Sequence, residues 1–471
     1  MIAAALSRLG RLGALVALGG VSLAACTHSP LTVQHAIVPG GIVGPLPAGL
    51  PTHLAIGLAA GFGQNGLGGW VPESKIPFDY TYQYLAGGVD NPGQGWQTWM
   101  PHATFPTEYA TVATSEGHIP VLDYYMLLQS GGPCANCEED QKDLDHLNDP
   151  SLMAAYYEDF ETLMKRLGSR TWGGVKGFGG TVIVHVEPDL SAHAEEAVLD
   201  PSRWCFGLCD GQGNNPALLH ASVASSGLPA LAGLPNNYVG FNLALLQIRD
   251  LFAPNVLMAY HLSNWSTGTD IASNTDRSID TTRIGSEAGR FAAEAGVATI
   301  RPGVSTYDLV FNDVSDRDSE VSGIWWDVTN RRDPNFARWE TFLGSAESQF
   351  KRPVFVWQVP LGNQWFRTEN GSTGHTRDNR IEYFFSHQAE LVHAGVAAVL
   401  FGNGISNSTS NYPLVDDAPF NPQSVCSTED GVTACSTHLA VWSDDDGGYL
   451  RTQAALYYRH PLPLVWAPNG A

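Results

Sequence analysis

Near the middle of the chain, Val182 to Ser191 read VIVHVEPDLS, which puts an imidazole and two carboxyl groups at alternate positions. In an extended strand successive side chains point to opposite faces, so Ile183, His185 and Glu187 share one side and Val182, Val184 and Val186 the other. The valine side suits packing against helices. His185 and Glu187 are therefore expected to point inward, with Pro188 ending the strand and Asp189 just beyond it. Burying an unpaired charge is costly, and the environment that resolves the cost moves a carboxyl pKa up or down. A general acid requires such tuning. A structural ion pair or a loop cap is the plain alternative.

Other apolar runs also end in acids. In HIPVLDYY, Asp123 lies on the face of Val121 and Tyr125; in YDLVFNDVSDRD, Asp313 shares a side with Leu309 and Phe311. Beyond it Asp316 and Asp318 flank Arg317, which can simply neutralise both. The run Val354 to Gln358 ends in an amide instead. Trp70, Trp96, Trp99, Trp265, Trp325, Trp326, Trp357 and Trp365 fall at strand ends or in loops. Sugar rings stack on indoles, although many tryptophans serve only as core. Glu187, Asp189, Asp313, Asp316 and Asp123 are the candidate catalytic acids. His185, His261, Trp265, Trp326, Trp357 and Gln358 are the candidate substrate contacts. The chemistry these types suit is glycosidic bond cleavage, in which one acid protonates the leaving oxygen and another activates water or attacks carbon.

Eight strands are predicted to position them: His53 to Ala60, Phe78 to Leu85, His118 to Met126, Thr181 to Glu187, Asn255 to His261, Thr306 to Asp313, Pro353 to Val359 and Ala397 to Gly402. Between them, Ser151 to Leu167 and Asn236 to Phe252 have apolar residues at helical spacing, with Asp149-Pro150 and Pro235-Asn236 as starts. Alternating strand and helix imply parallel strands joined by crossover helices. Eight such units favour a single (β/α)8 TIM-like barrel with long loops at its C-terminal face, where this fold places its chemistry.

Three segments resemble glycoside hydrolase family 6, the cellulase family with a distorted barrel. They are Glu187-Pro188-Asp189, similar to its Glu-Pro-Asp; Pro254-Asn255-Val256, similar to its Pro-Asn-Val strand; and Phe355-Val356-Trp357 with Pro360. The resemblance implies that Asp189 is the proton donor, supported by Glu187. Leu190-Ser191 invert the family's Ser-Leu, Asp123-Tyr124-Tyr125 stand where its Asp-Arg-Asp lies, and Val359, Gly362 and Asn363 replace its Lys, Glu and Asp. Glu187-Pro188 also resembles the Asn-Glu-Pro of the large retaining clan of barrel glycosidases, with Val186 for its Asn and Gln358 for its nucleophilic Glu. A divergent family of barrel glycosidases is the expectation. A glycan-binding barrel that has lost its base is the alternative. A metal-dependent hydrolase using His185, Glu187, Asp189 and His261 is a third reading; neither metal nor cofactor is expected under the first.

The chain has 471 residues and a net charge of −22, with 44% hydrophobic and only 15% charged residues. That balance supplies a large core and excludes wholesale disorder. An excess of acid repels phosphate backbones and anionic lipid surfaces, so nucleic acid is excluded as a partner and a glycan is expected. Residues 1–26 carry Arg8 and Arg11 before a short apolar run ending Leu23-Ala24-Ala25-Cys26. This is a signal-peptide pattern, too short for a membrane span, with a lipobox-like end. A lipid anchor at Cys26 would be the only membrane attachment of a protein in the bacterial cell envelope, or secreted. Residues 27–50 read as a tether and 51–471 as the barrel. The remaining cysteines, Cys134, Cys137, Cys205, Cys209, Cys426 and Cys435, fall into local pairs suited to disulfides. A zinc site joining Cys134, Cys137, Cys205 and Cys209 is the sharper alternative. Asp444-Asp445-Asp446-Gly447-Gly448 reads as a solvated turn rather than a calcium loop.

Overall fold

The computed structural model describes residues 40–63, 66–68, 71–134, 136–314, 318–365, 376–402, 425–429, 432–436 and 448–467. The leader through Cys26, residues 27–39 of the expected tether, Trp70, Asp316 and Arg317, and residues 444–447 lie outside them.

Eight parallel strands close into a barrel. They are β1 (Ala55–Ala59), β2 (Tyr80–Leu85), β3 (Ile119–Tyr124), β4 (Val182–Val186), β5 (Val256–Leu262), β6 (Leu309–Asp313), β7 (Val354–Val359) and β8 (Val396–Phe401). Each strand hydrogen-bonds to its neighbours in sequence order, and β1 closes on β8 with Ala55 opposite Ala398. Every crossover between barrel strands carries helix. The protein is a (β/α)8 barrel, as the alternation of segments predicts.

Register lines up the inward rows. Asp123 pairs with His185, His261 with Phe311, Phe311 with Phe355, and Asp313 with Trp357. The lower interior is filled by rings: Tyr80 meets Phe355 at 5.2 Å and Phe311 meets Phe355 at 5.4 Å between centroids. Toward the carboxyl ends this aromatic packing gives way to polar groups.

Four helices matter to the site. Helix α1 (Glu139–Asn148) and helix α2 (Pro150–Leu167) follow β3. The Asp149 carboxylate caps α2 by accepting from the backbone N–H of Ser151 (2.8 Å) and Leu152 (2.9 Å), so Asp149-Pro150 works as the start its sequence announces. Helix α3 (Leu190–Leu199) begins directly beyond β4, and helix α4 (Tyr238–Phe252) is capped by Asn237, one residue later than predicted.

Residues 40–50 correct the expected tether. Ile42 is fully buried and bridges to Trp466, while the Glu347 carboxylate accepts from Val43 N (2.7 Å) and Gly44 N (3.3 Å). An apolar side chain and two paired amides make this stretch part of the barrel's floor. The cysteines form three local disulfides, Cys134–Cys137, Cys205–Cys209 and Cys426–Cys435, in place of the zinc alternative. Among the described residues no helix is long and apolar enough to cross a membrane.

Candidate active site

At the carboxyl ends of the strands lies a cavity of about 550 Å³, lined in part by Asp189, Asp313, Trp265, Trp357, Gln358 and Tyr84. That is within the range of small-ligand sites. Asp313 is the last residue of β6, and Asp189 sits at φ 71° between β4 and α3. Both face one imidazole: His261 Nε2 is 3.6 Å from Asp313 Oδ1 and 3.8 Å from Asp189 Oδ1. The two oxygens therefore lie no more than about 7.4 Å apart, the sum of those distances.

Below the cavity a buried file of polar groups leads to that imidazole. Asp123 Oδ1 is 2.8 Å from His185 Nδ1, and His185 Nε2 is 3.0 Å from His261 Nδ1. His261 Nε2 is 2.9 Å from Ser263 Oγ, whose hydroxyl donates to Asp189 Oδ1 at 3.3 Å. The Trp357 indole N–H donates to Asp123 Oδ2 at 3.2 Å, so both carboxyl oxygens of Asp123 are engaged. Asp123 and His185 are wholly inaccessible, and His261 and Ser263 nearly so.

Burial sets the charges of this file. It holds Asp123 well above the usual carboxylate range, with only the Trp357 hydrogen bond opposing. It pushes His185 well below the usual imidazole range, and His261 adds to that. Close as they are, the two make a neutral pair: a protonated acid donates to His185 Nδ1, and His185 passes its Nε2 hydrogen to His261 Nδ1. Every donor then meets an acceptor, ending at Ser263 and Asp189.

The expected acids are thus divided. Asp189 and Asp313 line the cavity, and Asp123 lies beneath it at the inner end of the file. Glu187 does not continue the inward row of β4. The strand ends at Val186, Glu187 takes φ 41°, and its buried carboxyl turns to the loop after β3, accepting from Met126 N and Leu127 N at 3.2 to 3.4 Å. Burial pushes it up to about 8 against these hydrogen bonds and that of Tyr156. His185 and His261 are beneath the cavity wall rather than on it, while Trp265, Trp357 and Gln358 line it. Gln358 donates to the Tyr84 hydroxyl.

Trp326 is a core residue and not a substrate platform: it is fully buried against Phe336 and Trp339, and its indole donates to the Ala272 carbonyl at 2.9 Å. The metal reading does not assemble either. Both ring nitrogens of His185 are taken by hydrogen bonds and Glu187 faces the β3 loop.

Sequence reasoning missed Ser263, Asn264, Asp270, Tyr84, Tyr125, Glu139 and His193. Ser263 and Asn264 directly follow β5, and the rule that strand ends carry chemistry, continued three residues past His261, finds them. Asn264 fixes the end of β6 by donating to the Asp313 carbonyl at 2.6 Å. Asp270, on the cavity wall, is raised by burial, with Asp313 adding to the effect. Tyr125 donates to Glu139 Oε1 at 2.9 Å, and the His193 ring lies 4.9 Å from that of Trp265. Nothing in the linear sequence ties those two pairs to the strand ends.

Neither a protein-family model nor a curated protein sequence matches the chain. Among solved structures it is similar to a modular endo-β-1,4-mannanase of glycoside hydrolase family 26 from Cellulomonas fimi, with a TM-score of 0.40, 12% identity, and 75% of this chain and 66% of that one covered. It is likewise similar to a family 1 β-glucosidase from Thermotoga maritima, with a TM-score of 0.38, 9% identity, and 71% of this chain and 75% of that one covered.

Proposed function

We propose that the protein is a glycoside hydrolase in which Asp189 and Asp313 act on a glycan held in the barrel mouth. The observation that carries this reading is the convergence of two carboxylates from different strand ends on His261 Nε2, at 3.8 and 3.6 Å, within one open cavity. Asp189 is the proton donor, as its place in Glu187-Pro188-Asp189 also suggests. Asp313 is the partner that activates water or attacks carbon.

The buried file resupplies the donor. Once Asp189 has given its proton to the leaving oxygen, His261 passes its Nε2 proton to Ser263 and Ser263 passes its own to Asp189. The direct 3.8 Å gap to His261 is too long for a hydrogen bond, so the hydroxyl is the bridge. His261 takes a proton at Nδ1 from His185, and His185 takes one at Nδ1 from Asp123. The balance is one proton moved from Asp123 to Asp189, with both imidazoles left in the other tautomer; the proton released by the attacking water returns through Asp189 along the same file and restores Asp123 before the next turnover.

Trp265 and Tyr84 supply aromatic faces for sugar rings, and the buried Trp357 backs Tyr84. Anchoring in the cell envelope through Cys26 belongs to the same proposal and accords with an extracytoplasmic glycan.

The test is a hydrolysis screen of the purified protein on plant, fungal and bacterial polysaccharides, followed by Asp189→Asn and Asp313→Asn. Each is expected to lower kcat by about 10³-fold, within the range for losing a catalytic acid or base. Unchanged hydrolysis in either variant rules out the pair. The second reading, a binding barrel, is favoured by Gln358 at the end of β7. Glycan binding by calorimetry with no product from that ligand would establish it.

A further inference from the structure

Beside the acid pair, on the wall formed by α1 and α3, the structure assigns a divalent transition-metal site to Glu139, Asp143 and His193. Glu139 and Asp143 are one helical turn apart on α1, which puts them on one face. His193 reaches them from α3. One carboxylate oxygen of each acid and a ring nitrogen of His193 lie within 4.8 Å of one another. Ligands around a single zinc or manganese ion need only small side-chain adjustments from that spacing.

Two buried atoms without hydrogen-bond partners point independently to a ligand. Asp143 is 1% exposed, and its Oδ1 is buried with no hydrogen-bond partner; the buried His193 Nδ1 has none either. Buried polar atoms are costly to leave unpaired, and natural structures rarely do so without an ion or water to satisfy them. Two such atoms in one three-residue cluster are groups that one shared cation would satisfy.

The surrounding charge agrees. Asp143 faces Glu139, Glu187 and Asp189, with Lys142 the cation acting on it. Glu139 is already oriented by the Tyr125 hydroxyl, an outer contact of the kind that fixes metal ligands. The donor set of one imidazole and two carboxylates suits zinc or manganese. Calcium takes six to eight oxygens and has little use for the nitrogen. Glu139 and His193 line the same cavity as Asp189. The ion's open positions therefore face that cavity, where water or vicinal hydroxyls could complete them. This inference goes beyond the hydrolase reading and does not depend on it.

The experiment is calorimetric titration of the full, tag-free chain, stripped with chelator, against zinc, manganese and calcium chlorides with no glycan present. The expected result is one equivalent of zinc or manganese, with calcium at least about tenfold weaker. Asp143→Asn and His193→Gln should each weaken binding by about a hundredfold, since even outer partners of metal ligands account for about 10–100-fold. Glu139→Gln, at the cavity wall, reads the same loss should a buried variant fail to fold. No binding, binding of calcium alone, or zinc binding of equal strength in folded variants overturns the site. Loss of glycan hydrolysis in Asp189→Asn with metal binding intact would show the two proposals to be separate.

Discussion

Replacing Asp123 by Asn tests the buried file without disturbing its shape. The side chain is fully buried, bonded to His185 Nδ1 at 2.8 Å and to the Trp357 indole at 3.2 Å. Burial favours the protonated acid, so an amide reproduces both bonds: its Nδ2–H donates to His185 and its oxygen accepts from Trp357. Stability should change by less than about 1 kcal/mol. Asp123→Ala, by contrast, leaves two buried groups unpaired at roughly 1 to 3 kcal/mol each and opens a void, for a loss of about 3 to 5 kcal/mol. The amide cannot release a proton to His185, so reloading of Asp189 then depends on solvent. A loss of about 10²-fold in kcat follows, or about 2.7 kcal/mol of barrier, with KM unchanged. The deficit narrows at acid pH, where solvent protonates Asp189 directly. Urea unfolding and steady-state kinetics across pH, on a glycan the native protein hydrolyses, read both quantities. A folded Asp123→Asn variant with kcat within about threefold of native and the same pH profile would refute the proton path.

Glu187 and Glu195 are both pushed up to about 8 by burial, against about 4.3 in the unfolded chain. The native state holds protons that the unfolded state has lost, so their contribution to stability is full below about pH 4.3 and disappears as pH rises through about 8. Tm by calorimetry should fall between pH 5 and pH 8.5, and Glu195→Gln should flatten that slope. Glu347→Ala releases the amides of Val43 and Gly44 and should cost about 2 kcal/mol, with faster amide exchange confined first to residues 41–50. Trp265→Ala removes an aromatic face from the cavity wall and should raise KM about tenfold while kcat stays within about threefold, as measured on soluble oligosaccharides.

The barrel was legible because each strand, buried on both faces, is a short apolar run bounded by breakers, and the crossover helices keep their period and their caps. Asp149 shows this best: one residue, read as a start, accepts two of the free amides of α2. The site was legible wherever side-chain alternation held. It put Asp123 on the face of Val121, His185 on that of Ile183 and Asp313 on that of Phe311, and the register sets Asp123 beside His185 and Asp313 beside Trp357. Alternation fails one residue past a strand, where φ is free to change sign. Glu187, at φ 41°, turns to the loop after β3, and Asp189, at φ 71°, swings into the cavity instead. Trp326 was misread because an indole at the end of a polar loop gives no sign of whether a helix will cover it. Glu139, Asp143 and His193 escaped notice because their meeting depends on how two helices pack.

The buried file also bears on the choice between hydrolysis and binding. A barrel that only holds a glycan needs aromatic faces and hydroxyl partners at its mouth, and its interior can be as apolar as the Tyr80, Phe311 and Phe355 packing lower down. Replacing buried polar pairs by well-packed apolar side chains is often neutral or stabilising, so an idle binding barrel gains nothing from Asp123, His185 and His261. These three are instead joined end to end in dry surroundings and lead to the acid that donates in the proposed reaction. A route for a proton is useful only where a proton is consumed at its outer end, as leaving-group protonation requires. Gln358 at the end of β7 is then no obstacle, because the proposed partner acid stands one strand earlier, at Asp313. The four-step file and the position of Asp313 make the same demand on experiment: Asp313→Asn must lower kcat by about 10³-fold while Gln358→Ala leaves the chemical step measurable and changes mainly KM.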